Sequence, residues 1–456
     1  MFAGAVGLTT WLQHTPSAST GAADPGAEDA TPPTVIFVVL DTLRADHTSL
    51  CGYGRSTTNS LEMLVRAGAT YTCNAHTPST WTLPTHAAFF TGEPAEIHRV
   101  GGGGGSVDLG FGPVTPLGPE LKTLAERFTA RGYQTLFLSA NPAVAAFTGL
   151  ARGFEHTEVA EDFGGFFGKQ LGWAMRRLLD RVKPDPARPA FIFVNIADPH
   201  APWEAVPDGI PGIPARTGLK AEPGRTRFES GQLDPAEADQ YLAHLTDVYD
   251  YSVMQADESL GVVFDMLRSA GLLKRGFRLV VTSDHGEHLG EHGRLGHGGT
   301  RHGEPLTRVP VVYMSTAGKL PLPEHMPASA THSLVLDGKL PAPMPPQQSS
   351  VFLRPGAKPE GSPCTHATAA VWEGGRKWVA AKGKVERFDL AHDAAEDAPT
   401  VVSAESDPVA KRLLSRCELL DAAYTSRSSE ASSATDLVNA QLQRLGYMGG
   451  TGDAGK

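Results

Sequence analysis

Between Val280 and His302 the chain reads VVTSDHGEHLGEHGRLGHGGTRH. The stretch begins as an apolar, β-branched run, the pattern of a buried strand. It then breaks into acids, histidines and glycines, with Asp284 and His285 side by side where the strand should end. Five of the seventeen histidines (His285, His288, His292, His297 and His302) fall here. A strand running into a carboxylate–imidazole pair and a turning loop is what a metal site at the carboxyl edge of an α/β sheet requires. A solvated histidine-rich surface loop is the alternative, but an apolar strand aimed into the cluster argues against it.

The rest of the chain narrows the possibilities. At 456 residues it has room for one large core and a smaller lobe. The formal net charge of −10 and the absence of a basic run argue against nucleic-acid binding. An anionic substrate would therefore be held by local groups and not steered by overall charge. Cys51, Cys73, Cys364 and Cys417 have no metal-type spacing. Cys51 and Cys73 are able to pair, but nothing in the sequence requires it, and ordinary thiols are the default expectation. Residues 1–33 are expected to be a leader or flexible tether: a short apolar run, then a Ser/Thr/Ala/Pro/Gly-rich segment. The apolar run lacks a basic start and is too short to span a bilayer.

From residue 34 the pattern is strand and helix in alternation. Apolar runs at Thr34–Asp41, Thr135–Ala140, Ala190–Ala197, Phe277–Ser283 and Val309–Ser315 read as strands. Ser60 to Ala67, Pro119 to Arg131, Phe166 to Arg181 and Asp234 to Ala270 read as helices, and Thr77 to Gly92 as a loop entering one. There Pro84 suits the first helical turn, with Thr82 before it as a cap-type residue. Gly101–Gly105 reads as a loop, and 202–226 as a Pro/Gly-rich surface excursion. The expected fold is α/β: a large, mostly parallel sheet sandwiched by helices over 34–320. From 321 to 456 a C-terminal subdomain is expected, with short strands at Thr368–Trp372, Lys377–Ala381 and Val385–Asp389 and helices near 407–416 and 434–445.

Three strand ends deliver polar residues: Asp41, His200 and the Asp284–His285 pair. In an open α/β sheet such ends meet at one edge. Thr82 at a helix start adds a hydroxyl where backbone N–H groups and the helix dipole favour an anion. A hydroxyl nucleophile, a divalent cation and an anion cradle together make a phosphoryl- or sulfuryl-transfer site.

These pieces resemble the sulfatase family of the alkaline-phosphatase superfamily. The similarity is carried by VVLDTLRADHTSLCGYG, STWTLPTHAAFFTG, DPHAPW, YDYSVMQADESLG, TSDHGEHLGEHGRLGHG, RVPVVY, RKWVAAKGKVERFDL and LGYMGG, in family order from about residue 34 to 450. The resemblance implies one divalent metal held by Asp41, Asp284 and His285, with the Thr82 oxygen as an inner ligand. It implies that His200 acts on the leaving group or the substrate oxyanion and that His297 contacts substrate. His86 stands where sulfatases carry an Arg that steadies the nucleophile; it is expected to do that or to cap the helix. Arg44 and Asp46 are expected to pair with each other, Asp198 to brace His200, and the remaining loop histidines to support.

The departures from the family pattern are specific. Sulfatases carry Cys or Ser at the head of a Cys-x-Pro-Ser-Arg motif and convert it to formylglycine; here the segment is Thr82-Leu83-Pro84-Thr85-His86. A threonine cannot become that aldehyde, so no formylglycine is expected. The paired acid after the first strand is Asp41-Thr42, and a Lys-x-His segment is replaced by Ser139-Ala140-Asn141, which makes Asn141 a candidate substrate contact. Fewer carboxylates and an imidazole favour manganese or zinc over calcium. The expectation is a metal-dependent hydrolase of phosphate-type mono- or diesters acting through a covalent Thr82 intermediate. Alternatives are sulfuric ester hydrolysis, transfer to another acceptor, or a non-catalytic sulfatase-like binding protein. The expected partner is a small-molecule, glycan or lipid head-group ester, with membrane contact only through the N-terminal segment. Export is favoured over a cytoplasmic location.

Overall fold

The strand TVIFVVL (Thr34–Leu40, β1) is buried along its whole length because each face has its own core. Val35, Phe37 and Val39 point into one apolar cluster, and Ile36, Val38 and Leu40 into the other. A strand covered on both sides reads as an unbroken apolar run, not an alternating one. The computed structural model describes residues 32–427, apart from 109–112, 162–164, 204, 215–220, 299–301, 353–363 and 382–383. The leader expected at 1–33 thus lies almost wholly outside the described residues, as do the helix expected at 434–445 and the LGYMGG segment. Among the described residues no helix is long and apolar enough to cross a membrane.

β1 is central in an eight-stranded sheet. In chain order its other members are β2 (Thr70–His76), β5 (Gln134–Ser139), β6 (His156–Val159), β7 (Ala190–Ile196), β8 (Phe277–Thr282), β11 (Arg308–Ser315) and β12 (His325–Pro327). The spatial order is β12-β2-β11-β8-β1-β7-β5-β6. β8, β1, β7, β5 and β6 run parallel, β11 is antiparallel to both β8 and β2, and β12 is parallel to β2. The sheet is thus the mixed, mostly parallel one expected. On one face lie α1 (Asn59–Arg66), α4 (Lys169–Val182) and α6 (Pro235–Ser269); on the other lie α2 (Thr82–Thr91), α3 (Leu124–Ala130) and α7 (Thr331–Asp337). Across neighbouring strands Phe193 meets Phe37 edge to face at 5.5 Å and stacks on Phe137 at 5.1 Å between centroids. Truncating Phe193 to Ala would cost about 3–5 kcal/mol.

Helix starts follow local chemistry. Asp234 and Glu237 form a reciprocal capping box ahead of Pro235, which starts the 35-residue α6. Asp257 on α6 accepts from the backbone N–H groups of Ser60 and Leu61 at 2.6 and 3.1 Å, and so caps α1 from outside. The helix expected from Pro119 begins only at Leu124, because Thr123 and Glu126 cap it there. Gly101–Gly105, expected as a loop, lies in a strand (β3, Gly101–Asp108) paired with β4 (Pro113–Thr115). Backbone pairing needs no side chains, so glycine carried no strand signal.

The C-terminal sheet is antiparallel: β13 (Gln347–Phe352), β14 (Ala367–Glu373), β15 (Arg376–Ala381), β16 (Lys384–Asp389) and β17 (Thr400–Val402). α8 (Pro408–Arg427) packs on it. The expected division at 320/321 falls before β12 and α7, both of which pack with the large sheet. His302, 3.0 Å from both Ser349 Oγ and Thr368 Oγ1, ties the small sheet to the loop after β8. The expectation of free thiols is corrected: Cys51 pairs with Cys73 and Cys364 with Cys417. The spacing in sequence gave no sign of either.

Candidate active site

Asp41 follows β1 directly, and Asp284 stands two residues past its parallel neighbour β8. Both carboxylates therefore emerge at the carboxyl edge, fully buried. Each has one oxygen tied. Asp41 Oδ2 accepts from Asn141 Nδ2 at 2.8 Å and from Asn195 Nδ2 at 3.1 Å. Asp284 Oδ1 accepts from the backbone N–H groups of Thr42 and His285 at 3.2 and 3.0 Å. The other oxygens, Asp41 Oδ1 and Asp284 Oδ2, have no hydrogen-bond partner. His285 Nε2 lies 3.9 Å from the first and 3.4 Å from the second.

The imidazole of His285 is set for donation to a cation. Its Nδ1 lies 2.9 Å from the Gly286 carbonyl, which can only accept, so the ring proton sits on Nδ1. The lone pair of Nε2 then faces the two carboxylates, the arrangement a liganding histidine needs. Burial first, then His297, pushes the His285 pKa well below the ordinary range. Burial, then the charge of Asp41, pushes Asp284 well above its own. Two like charges this close are costly without a cation between them. Among the described residues this trio is the one grouping of three or more acids, histidines or cysteines whose ligand atoms lie within 4.8 Å of one another. Two orphaned carboxylate oxygens and an imidazole of the right tautomer fit a divalent cation.

Thr82 completes the cluster from the other side. Its Oγ1 is 3.2 Å from His285 Nε2, and the residue is 5 % exposed. It is the first residue of α2 and not the cap: Trp81 holds that position and supplies no side-chain acceptor. All ten residues of α2 are buried, so the hydroxyl is fixed by packing. His86, one turn on, places Nδ1 2.9 Å from the Thr82 carbonyl and 3.6 Å from Asp284 Oδ2. It is packed among Phe89, Phe90 and Phe193, and burial pushes its pKa down. Its Nδ1 bond ties it to the first turn of α2, and burial disfavours the positive charge that an Arg would bring there.

His200 and His297 close the site. Their rings stand 4.8 Å apart, and His297 is 4.4 Å from His285. His297 Nδ1 donates to Glu287 at 3.1 and 3.2 Å to its two oxygens. Against the opposing effect of burial, that carboxylate raises the His297 pKa. His200 donates through Nδ1 to the Ala201 carbonyl, and burial, then His297, lowers its pKa.

Several expectations shift. Asn141, expected at the substrate, is 1 % exposed and its amide is committed to Asp41. Asp198, expected to brace His200, also accepts from the backbone N–H of Gly168 at 2.5 Å, which fixes the carboxylate beside the strand end. Arg44 pairs with Asp46 as expected, and also with Glu291 and the Glu287 carbonyl, which pins the loop that carries His297. Asn195 and Glu287 escaped the sequence reading. Thr42, where an acid pair was missing, adopts φ 59°. That left-handed conformation is strained for a β-branched residue. Tyr249 Oη holds it by donating to the Thr42 carbonyl at 2.6 Å and accepting from Arg44 N at 2.9 Å. A Cβ at Gly286 would collide with the Pro305 carbonyl, so no other residue fits directly after His285.

Comparison with known proteins identifies the family and the fold. The Sulfatase family model matches residues 33–335. No curated protein matches the sequence significantly. Among solved structures, the phosphonate monoester hydrolase of Agrobacterium radiobacter superposes with a TM-score of 0.60 at 18 % identity, covering 87 % of this chain and 96 % of that one. BT4656, solved with its substrate D-glucosamine-2-N,6-O-disulfate, gives a TM-score of 0.62 at 15 % identity, covering 87 % and 99 %. BT1596, a 2-O GAG sulfatase, gives 0.55 at 16 % identity, covering 88 % and 93 %. At these identities the likeness speaks for the fold alone. With a family model spanning well over half its length, the chain belongs to the sulfatase family and is a sulfatase-like ester hydrolase.

Proposed function

We propose that the chain hydrolyses phosphate-type mono- or diesters through a covalent intermediate on Thr82, with one divalent cation held by Asp41, Asp284, His285 and the Thr82 oxygen. The observation that carries this reading is the convergence of two unpartnered buried carboxylate oxygens, the His285 Nε2 lone pair and the Thr82 hydroxyl. A carboxylate–imidazole donor set suits manganese or zinc better than calcium. When bound, the cation would neutralise the two acids, lower the pKa of the Thr82 hydroxyl and offset charge on the transferred group.

The protein's own groups divide the remaining work. α2 presents Thr82 at its N-terminus, where the helix dipole favours the anionic group of the substrate. Thr82 releases its hydroxyl proton to solvent water, and its Oγ1 then forms the new bond to phosphorus as the bond to the leaving oxygen breaks. His297, whose proton the Glu287 carboxylate stabilises, donates it to that oxygen. The sequence reading gave this task to His200. Its Nδ1 contact with a backbone carbonyl instead suits a neutral ring that accepts a proton from the incoming water. Asn141 and Asn195 hold Asp41 in register throughout.

Phosphorus is favoured over sulfur by Thr82 itself. A formylglycine hydrate sulfated on one hydroxyl expels sulfate when its second hydroxyl loses a proton and the aldehyde re-forms. A threonine ester has no such route and must be displaced by water. The two disulfides suit an oxidising compartment, which favours export. The test is a panel of aryl phosphate monoesters, diesters and sulfates, assayed with manganese, zinc and calcium. Thr82→Ala should abolish turnover yet retain metal by elemental analysis. Full activity in that variant refutes the nucleophile.

A further inference from the structure

Beside His297 opens a cavity of about 260 Å³, lined among others by Glu229, His288, Arg294 and Gly296. His288 is 4 % exposed, and its Nε2 has no hydrogen-bond partner. Its Nδ1 faces Glu291 Oε2 at 3.7 Å, and against burial the imidazole helps hold that carboxyl well below the usual carboxylate range. A buried ring nitrogen left unbonded is destabilising, and native structures rarely keep one without a use. The wall over the cavity is built. Arg225, on α5 (Ala221–Glu229), ion-pairs with Glu229 at 3.2 Å, which leaves that pair neutral. Its guanidinium would lie 2.9 Å from a Cβ at Gly296, so the close approach needs glycine there. Phe228 and Leu295 anchor the helix and loop in a shared apolar cluster with Tyr241 and Leu245. Arg294 is exposed at the rim. The lining thus sets Arg294 and the imidazoles of His288 and His297 against Glu229, whose charge Arg225 offsets.

We propose that this cavity is a leaving-group subsite that takes an anionic substituent, such as a carboxylate, on the alcohol side of the ester. The assignment rests on the reading that His297 protonates the leaving oxygen, since the cavity begins at that ring. His288 bonds the substituent and Arg294 balances its charge. The preferred substrates are then esters whose alcohol carries a second negative group.

The probes are meta-carboxyphenyl phosphate and its neutral counterpart, meta-carbamoylphenyl phosphate. The native enzyme should favour the carboxylate by roughly tenfold in kcat/KM, the scale of one charge-assisted hydrogen bond. Arg294→Gln and His288→Leu should each erase most of that preference. His288→Leu should also leave thermal stability close to that of the native enzyme, because it trades the long Glu291 contact for relief of the unbonded Nε2. Equal kcat/KM for the two probes in the native enzyme, or a preference that survives both substitutions, overturns the subsite. Titration calorimetry with the alcohol products, meta-hydroxybenzoate and meta-hydroxybenzamide, separates this idea from the chemistry above. Tighter binding of the benzoate that is lost in His288→Leu supports the subsite even if no phosphate ester turns over. Equal binding of both products contradicts it even if turnover is brisk.

Discussion

Replacing Asp284 with Asn should make the metal-free protein more stable and the metal-loaded protein less so. Asp284 Oδ1 accepts two backbone N–H groups, and an amide oxygen can keep both. At the other position, Oδ2 lies 3.4 Å from His285 Nε2 and within 4.8 Å of an Asp41 oxygen, and it has no hydrogen-bond partner. An amide NH₂ placed there donates to groups that now only repel or go unbonded. Each unsatisfied buried polar group costs about 1–3 kcal/mol, so relief of this cluster is worth about 2 kcal/mol. With a chelator present, Asp284→Asn should therefore melt a few degrees above the native protein. Added cation at one hundred times its dissociation constant should stabilise the native protein by about 2.7 kcal/mol and the variant hardly at all. The assay is thermal unfolding of both proteins across a manganese or zinc series, and the two curves should cross. A variant less stable than native in chelator, or stabilised equally by metal, refutes the reasoning.

Other perturbations test the supports. Asn195→Leu removes one of two amide donors to Asp41 Oδ2 and should cost about 1–3 kcal/mol, with weaker metal retention by elemental analysis; unchanged retention would detach Asn195 from the site. Burial holds His302 neutral with a pKa lowered to about 3. The unfolded chain therefore takes up the proton first, and stability is lost as pH falls from about 6.5 toward 3. Glu304, held down at about 2 mainly by His76 against burial, loses its contribution over a lower window, below about 4.3. His302→Asn should flatten the upper part of the acid limb in denaturant melts at stepped pH, and an unchanged limb contradicts the assignment. Removing the Cys51–Cys73 bridge, which spans 22 residues, should cost about 3 kcal/mol in chemical denaturation, whereas a change under half that would place the constraint elsewhere.

Much of this site was legible before any coordinates. Asp41 and Asp284 announce themselves because each ends a run of side chains buried on both faces, where a charge has no reason to be unless it is used. Asn195 was hidden by the same logic reversed: it lies inside AFIFVNI, and only the parallel pairing of β7 with β1 and β5 brings its amide to Asp41. Asn141 was read as a substrate contact because Ser139-Ala140-Asn141 stands in place of the family's Lys-x-His segment, but its reach to Asp41 depends on strand order. Glu287 hid among many loop acids, and its value comes from facing His297. The capping box at Thr123 and Glu126 was present in the sequence and would have trimmed the helix drawn from Pro119. The disulfides were beyond reach, since pairing depends on Cα separations of 5.7 and 4.8 Å that the fold alone creates.

The central claim is that Thr82 becomes esterified during turnover. The direct measurement is acid quenching of the enzyme with an aryl phosphate in the steady state, then peptide mass spectrometry. The account predicts a phosphate on the peptide that contains Thr82, absent from Thr82→Ala. Turnover with an unmodified Thr82, or a phosphate carried by another residue, would contradict it.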